Sequence, residues 1–91
     1  NDIKIKEEFN FKGSAKDLLI TSQLRTALVL SKNIKSNNYN IDTYKKKIFI
    51  YGIALTPEER EEVIKEAKQI LDVEKVIASI LLVEDLRIQK D

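Results

Sequence analysis

The sequence predicts a small α+β domain in which two helices lie on one face of a three-stranded sheet. Its 91 residues fit one compact domain and leave no room for two. Hydrophobic residues make up 43% of the chain and charged residues 34%, a balance typical of folded globular proteins. Segments of helical and of alternating hydrophobic period follow one another as helix, strand, strand, helix, strand, which is the order of an α+β fold.

Residues 1–15 are predicted to be an arm or linker ahead of the domain, with an alternating pattern that suits an extra strand or an extended arm. Residues 16–83 carry the periodic segments and form the predicted domain. Residues 84–91 are mostly polar and are expected to form a frayed C-terminal tail. The alternating apolar residues of the arm are Ile3, Ile5, Phe9 and Phe11.

The first predicted helix runs from Lys16 to Ser31, because its apolar residues recur at the 3.6-residue period of an amphipathic helix. Ser14 or Asp17 is expected to cap it, since a short side-chain oxygen can accept a hydrogen bond from a backbone N–H group of the first turn. The predicted core face consists of Ile20, Leu24, Ala27 and Leu28.

Two alternating segments, residues 39–43 and 48–54, predict a β-hairpin whose turn carries the lysines at 45–47. Successive side chains of a strand point to opposite faces, so one set of residues in the second strand should face the helices. Gly52 belongs to that set, and we expect a helix to approach it too closely for a side chain. The other residues of the set are Ile48, Ile50 and Ala54.

A second helix is predicted to begin at Thr56-Pro57, with threonine as N-cap and Glu59 completing a capping box. A turn at residues 72–75 then leads into a last strand, residues 76–83. The core face of this helix is expected to contain Val63, Ala67 and Ile70, flanked by Ile64 and Leu71. Its acidic residues are assigned to a solvated face and comprise Glu58, Glu59, Glu61, Glu62 and Glu66.

Composition narrows the classes of function. A net charge of +1 argues against a dedicated nucleic-acid binder, which usually carries a large basic excess. The chain has no histidine and no cysteine, so it lacks an imidazole base, a thiolate nucleophile and soft metal ligands. We therefore expect no enzyme, no catalytic residue, no metal and no cofactor. The chain begins at Asn1 and has no methionine, so we also expect a fragment of a longer protein.

Four segments together resemble a BON (bacterial OsmY and nodulation) domain over residues 16–83. They are the opening helix at 17–25, the strand Ile48-Phe49-Ile50-Tyr51-Gly52, the helix start Thr56-Pro57-Glu58-Glu59-Arg60, and Val73-Glu74-Lys75-Val76 before the last strand. The chain departs from the family pattern in two places, the hairpin turn and the residue before Val73. Lys45 and Lys46 replace the Asn-Gly of the hairpin, which predicts a wider or differently typed turn, and Asp72 replaces a glycine.

The resemblance implies a non-enzymatic, phospholipid-binding module for envelope maintenance at the periplasmic face of a bacterial outer membrane. A protein-interaction or dimerisation module is the alternative. Residues 1–5 resemble the last strand of a preceding BON domain, as in tandem-BON outer-membrane lipoproteins, whose anchor would lie outside this chain.

Two surfaces are candidates for contact with anionic phospholipid. The first is a stripe on helix one that consists of Leu19, Gln23, Thr26 and Leu30, with Arg25 available to meet phosphate. The family pattern has an aromatic residue at the position of Leu19. The alternative is that the two leucines of the stripe widen the core contact. The second is the lysine cluster, which otherwise forms a solvated hairpin tip. The candidate lipid-binding residues are Leu19, Gln23, Arg25, Thr26, Leu30, Lys45, Lys46 and Lys47.

The face of the sheet opposite the helices is predicted to contact a partner. A half-exposed sheet usually carries polar residues on its outer face, and this one carries apolar residues instead. The arm, a second copy of the domain or a neighbouring BON domain could cover it; alternatively, these residues reflect β propensity and stay partly exposed. The residues concerned are Phe49, Tyr51, Ile53, Ile77, Leu81 and Val83.

Overall fold

The computed structural model describes residues 14–90, with side chains to residue 86. The predictions for the arm before residue 14 lie outside the described residues. The elements, in chain order, are α1 (Ala15–Leu30), a 3-10 turn (Ser36–Asn38), β1 (Tyr39–Tyr44), β2 (Lys47–Ala54), α2 (Pro57–Lys68), β3 (Lys75–Leu82) and α3 (Val83–Lys90).

The sheet has the order β1-β2-β3, so the longer hairpin strand β2 lies in its centre. β1 pairs with β2 antiparallel, and β3 pairs with β2 parallel. The parallel pair follows from the connection, because α2 carries the chain back along the sheet before β3 begins. The helices α1 and α2 pack on one face, which confirms the predicted α+β fold and makes its sheet a mixed one.

The core lies between β2 and the two helices. Ile48, Ile50 and Ala54 of β2 are fully buried, which confirms the predicted register of this strand. α1 contributes Ile20, Leu24 and Leu28 to the same cluster, and α2 contributes Val63 and Ala67. Because burying one such large aliphatic side chain stabilises a fold by about 1.5–3 kcal/mol, this single layer supplies most of the driving force.

Both helix starts follow the predicted capping chemistry, with one difference. The Ser14 hydroxyl accepts a hydrogen bond from Asp17 N at 3.1 Å, and the Thr56 hydroxyl accepts one from Glu59 N at 3.1 Å. Glu59 does not return the bond to the N-cap residue, as a capping box would; its carboxylate accepts instead from Leu55 N, one residue earlier, at 3.0 Å.

The interpretation of Glu59 as part of a solvated face is wrong. Its side chain is only 4% exposed and also accepts hydrogen bonds from Lys35 N at 3.0 Å and from the Tyr39 hydroxyl at 2.9 Å. The carboxylate thus joins the α1–β1 connection, the start of β1 and the β2–α2 connection. Sequence spacing could not indicate this, because the partners are up to 24 residues away.

Burial and hydrogen bonding set the pKa values of Glu59 and Tyr39, and on Glu59 the two have opposite effects. Burial, the largest of them, raises the pKa of Glu59, but the hydrogen bonds from Lys35, Leu55 and Tyr39 together lower it further, so the pKa lies below its ordinary value. Burial and then the bond to Glu59 raise the pKa of the Tyr39 phenol well above its usual range. The carboxylate therefore stays ionised and the phenol neutral around pH 7.

Gly52 is required by a close approach, but not by one of the packed helices. A Cβ atom there would overlap Asn38 O and would lie 2.6 Å from the Tyr39 ring, on the strand directly opposite in the antiparallel register. The expectation of a helix above Gly52 is therefore wrong, and the neighbouring strand with the 3-10 turn before it takes that place.

The C-terminal residues differ from the prediction. Residues 84–90, expected as a frayed polar tail, form α3 together with Val83, which opens this helix instead of ending the last strand. Glu84 and Asp85 lie in its first turn, where carboxylates interact favourably with the helix dipole.

Candidate functional site

The candidate lipid stripe of α1 lies on the surface of the domain. Leu19 is 53% exposed and Leu30 is 76% exposed, so the interpretation that these leucines widen the core contact is wrong. Leu18 and Val29 are exposed beside them, although sequence reasoning had not included them in the stripe. The polar residues of the stripe, Gln23 and Thr26, are exposed as well, and so is Arg25.

The exposed face of α1 carries no negative charge. The helix contains one carboxylate, Asp17, which is 3% exposed and fully engaged with backbone donors. Lys16 and Arg25 are its only other charged residues. Apolar residues combined with positive charge are typical of helices that lie at an anionic lipid surface.

The lysine cluster forms a tighter turn than the sequence suggested. Tyr44 and Lys47 pair across the hairpin, so only Lys45 and Lys46 form the turn. Their φ angles are 51° and 66°, and positive φ at both central residues is the mark of a type I′ turn. The expectation of a wider or differently typed turn is therefore wrong.

Asp17 explains how two lysines adopt a conformation that favours asparagine and glycine. Its two carboxylate oxygens accept hydrogen bonds from Lys45 N at 2.8 Å and Lys46 N at 2.9 Å. Hydrogen bonds to a charged group stabilise by about 1.5–3 kcal/mol, which offsets the cost of the left-handed backbone. The same bonds hold the hairpin tip against the first turn of α1.

The structure therefore places the lysine turn at the N-terminal end of α1, the helix that carries the stripe. Lys45 and Lys46 are exposed, Lys47 is half-buried, and the Lys45 ammonium lies 5.5 Å from the centre of the Tyr44 ring. Leu30 lies at the other end of the helix, roughly 20 Å away at a rise of 1.5 Å per residue.

A third segment, the loop between α2 and β3, joins this end of the molecule. Glu74 N donates to Lys46 O at 2.8 Å, and the Lys16 ammonium lies 2.9 Å from an Asp72 carboxylate oxygen. The bond from Lys16 lowers the pKa of Asp72 below its ordinary value. Asp72, like the turn lysines, has a positive φ, here 71°. We call the region formed by residues 16–18, 45–47 and 71–75 the lysine end.

Leu71 of this loop is a residue that sequence reasoning placed wrongly. It was assigned to the flank of the α2 core face, but α2 ends at Lys68 and Leu71 is 79% exposed. The helix ends before Leu71 because the chain turns after Gln69, and this turn includes Asp72 with its positive φ. The only signal in the sequence was the predicted turn beginning at Asp72, one residue later.

The chain matches a known protein family over most of its length. The family model described as the BON domain matches residues 16–84. The chain belongs to the BON family. BON domains occur in periplasmic and other envelope proteins, are regarded as phospholipid-binding domains and are generally non-enzymatic.

One curated relative extends beyond the BON domain described here. A protein of Anaplasma centrale named "Uncharacterized protein in gshII 5'region" is 34% identical over 83 residues, a match that covers 90% of this chain and 55% of the relative. The chain thus spans about half the length of that protein.

The outer face of the BON sheet is apolar, as the alternation predicted. Tyr51, Ile53, Ile77 and Leu81 are exposed on it, and Phe49 is half-buried. Val83 is half-buried at the start of α3. What covers this face, if anything does, stays a prediction, because the arm lies outside the described residues.

The helix-facing side of β3 is less well covered than that of β2. Ile80 is buried and Val76 and Leu82 are half-buried, whereas Ala78 is exposed.

Two further observations bear on the class of site. Within the described residues, no group of three or more acidic, histidine or cysteine side chains is arranged to hold a metal ion. No helix among those residues is long and apolar enough to cross a bilayer.

Proposed function

We propose that this BON domain is a non-enzymatic module for envelope maintenance that binds anionic phospholipid at the periplasmic face of a bacterial outer membrane. The observation that supports this proposal best is the exposed face of α1, which combines leucines with positive charge and has no exposed carboxylate. The lysine turn, held against the first turn of the same helix by Asp17, adds two exposed cationic side chains at that end of the helix.

The contributions expected from these residues are individually small. A lysine near an anionic membrane surface adds about 1 kcal/mol of binding free energy, and this contribution weakens as salt screens the charges. Leu19 adds apolar contact but lacks the preference of an aromatic ring for the headgroup region. We therefore expect weak, reversible binding that depends on salt.

The proposal also includes a role without catalysis and a location at the outer membrane. Without histidine and cysteine, the chain has few groups that titrate or react near neutral pH, which supports a binding role over catalysis. Attachment to the outer membrane, through a lipid anchor or a preceding BON domain, belongs to the same proposal.

Sedimentation with vesicles tests the proposal. Vesicles of phosphatidylglycerol or cardiolipin should retain the wild-type domain at low salt, more than phosphatidylcholine vesicles do, and retention should fall as salt rises. Leu19→Asp and Arg25→Glu should reduce retention several-fold while circular dichroism shows an intact fold. Equal retention by anionic and zwitterionic vesicles at low salt would contradict lipid binding by this domain.

Two variants serve as matched controls. Leu81→Asp makes the same change on a leucine of the same exposure, 53%, but on the outer face of the sheet. Lys65→Glu makes the same charge reversal as Arg25→Glu on the exposed side of α2. If these controls lose as much retention as the α1 variants, the effect is one of net charge and the assignment of α1 as the lipid face is wrong.

The outer face of the sheet supports a second candidate function, protein interaction or dimerisation. Exposed, contiguous apolar residues on a sheet are uncommon in a soluble monomer. Sedimentation equilibrium across a range of concentrations should then reveal a dimer that Leu81→Asp abolishes. A monomer at all concentrations, with an unchanged profile for the variant, would contradict self-association through this face.

A further inference from the structure

Leu71 is the most exposed of the large hydrophobic residues that the structure describes, at 79%. It lies in the loop between α2 and β3 and takes no part in the packing of α2. A single exposed leucine is ordinary on a protein surface. Its meaning therefore depends on the residues around it.

The loop that carries Leu71 is fixed in place from both sides. Lys16 binds the carboxylate of Asp72, directly after Leu71, and Glu74 N donates to Lys46 O. Because Asp17 in turn holds the backbone of the lysine turn, three separate segments form one continuous surface at the lysine end. Leu71 and Leu18, which is 62% exposed, are the large apolar residues of that surface.

The charge of the lysine end differs from that of the rest of the chain. It contains five lysines and three carboxylates, a net charge of +2, whereas the whole chain has +1, so the remaining residues together carry −1. Two of the carboxylates are already engaged, Asp17 by backbone donors and Asp72 by Lys16. No ion pair within residues 14–86 engages the ammonium groups of Lys45 and Lys46.

The opposite end of the domain has no such cationic excess. β2 runs away from the lysine turn, and α2 begins beyond its far end with glutamates on both sides of Arg60; Lys35 lies against Glu59 at the same end. An anionic surface therefore attracts the lysine end more strongly than the opposite end, which orients the domain before contact.

We propose that the domain meets an anionic phospholipid bilayer with its lysine end foremost, so that Leu71 enters the headgroup layer and α1 is inclined to the membrane. The inference rests on the phospholipid binding proposed above and adds its orientation and its deepest residue. An exposed leucine in a region of net positive charge suits a bilayer better than an acidic protein surface, because the bilayer offers both phosphate groups and, below them, acyl chains.

This orientation predicts an order of depth along the molecule. Interfacial segments enter the headgroup and acyl boundary by about 5–10 Å, whereas α1, with 16 residues, is about 24 Å long. The whole helix cannot reach that depth when its axis is inclined. Leu71 should therefore lie deepest, Leu19 higher and Leu30 highest.

Fluorescence of single tryptophans measures this order, because the chain has no native tryptophan. Leu71→Trp, Leu19→Trp and Leu30→Trp are each mixed with phosphatidylglycerol vesicles that contain brominated acyl chains. We expect the largest blue shift and the strongest quenching for Leu71→Trp, and the smallest for Leu30→Trp. Leu55→Trp is the control, because Leu55 is half exposed and lies beyond the far end of β2. Quenching of Leu30→Trp equal to or stronger than that of Leu71→Trp would overturn the proposal.

A second measurement avoids the affinity of tryptophan itself for membranes. Leu71→Ser should reduce retention on phosphatidylglycerol vesicles by roughly three- to tenfold, as expected for a leucine that is partly transferred out of water. The double variant Lys45→Asn/Lys46→Gly removes two charges, keeps residues that favour this turn and should also reduce retention.

The outcomes separate this inference from the proposed function. If wild type is not retained on anionic vesicles, the proposed function fails and the orientation fails with it. If wild type and Leu71→Ser are retained equally while the double lysine variant loses retention, the domain binds lipid by charge alone and only the insertion of Leu71 is wrong.

Discussion

Replacing Lys46 with glycine should make the domain more stable, because this lysine has a backbone conformation that favours glycine. Its φ of 66° lies in the left-handed region, where a side chain costs roughly 1–2 kcal/mol. Glycine removes that cost but gives the unfolded chain more conformational freedom, which offsets about 0.4–1 kcal/mol of the gain. The net increase in the free energy of unfolding is expected to be about 0.5–1 kcal/mol.

Urea unfolding followed by circular dichroism measures this change, and the melting temperature should rise by roughly 2–8 °C in a domain of this size. Lys32→Gly is the matched control. Lys32 is also exposed in a turn, but its φ is not positive, so glycine should destabilise there. The reasoning from backbone strain is refuted if Lys46→Gly is no more stable than wild type, or if Lys32→Gly gains as much.

Three further predictions concern the buried polar contacts and the close approach at Gly52. Asp17→Asn should lower the free energy of unfolding by about 1–3 kcal/mol, because asparagine offers one acceptor oxygen to the two backbone donors, Lys45 N and Lys46 N. In urea titrations the exposed Asp42→Asn should stay within experimental error of wild type. Acid should destabilise the wild-type domain more than the Glu59→Gln variant. Because the pKa of Glu59 is lowered in the folded state, the stability that its ionised carboxylate contributes is complete above the unfolded pKa. That stability is lost as the pH falls through the folded pKa. Parallel loss of melting temperature in both proteins below about pH 5 would contradict this assignment. Gly52→Ala should destabilise by about 1–3 kcal/mol, since the added methyl group overlaps Asn38 and the Tyr39 ring; an unchanged melting temperature would show that β1 can move away.

The periodic spacing of the hydrophobic residues was sufficient to predict the helices and strands that bury one regular face. Ile48 and Ile50 belong to an alternating segment and Ile20 and Leu24 to a helical one, and all four are buried as expected. Helix starts were predictable for the same reason: the hydroxyl of Thr56 caps a helix through a partner three residues away, which is local information.

The polar contacts between distant segments could not be predicted. Asp17 and Glu59 both lie in the first turn of a helix, where a carboxylate is already explained by the helix dipole, so nothing in the sequence indicated burial. Their partners lie 24 to 29 residues away for Lys35, Lys45 and Lys46. The turn type was mistaken for the same reason, since local propensity does not include a carboxylate from another element.

The candidate site was predicted in part. The sequence identified the stripe of α1 and the lysine turn as separate groups, and only the fold shows that the turn is bound to the first turn of that helix. Leu71 was missed because its role depends on where α2 ends, and helix ends are the least certain part of a hydrophobic pattern.

The parallel pairing of β3 with β2 also fixes the order in which the domain can fold. The hairpin of β1 and β2 closes over two residues and can form early, whereas β3 must wait for α2 to be placed, since the parallel strands are joined only through that helix. During synthesis or export, β3 emerges after the other two strands of the sheet. Until β3 docks, β2 has an unpaired edge with apolar side chains beside it. The domain therefore depends on protection of this edge until β3 is added, and the docking of this strand, with six aliphatic residues of eight, is expected to be slow.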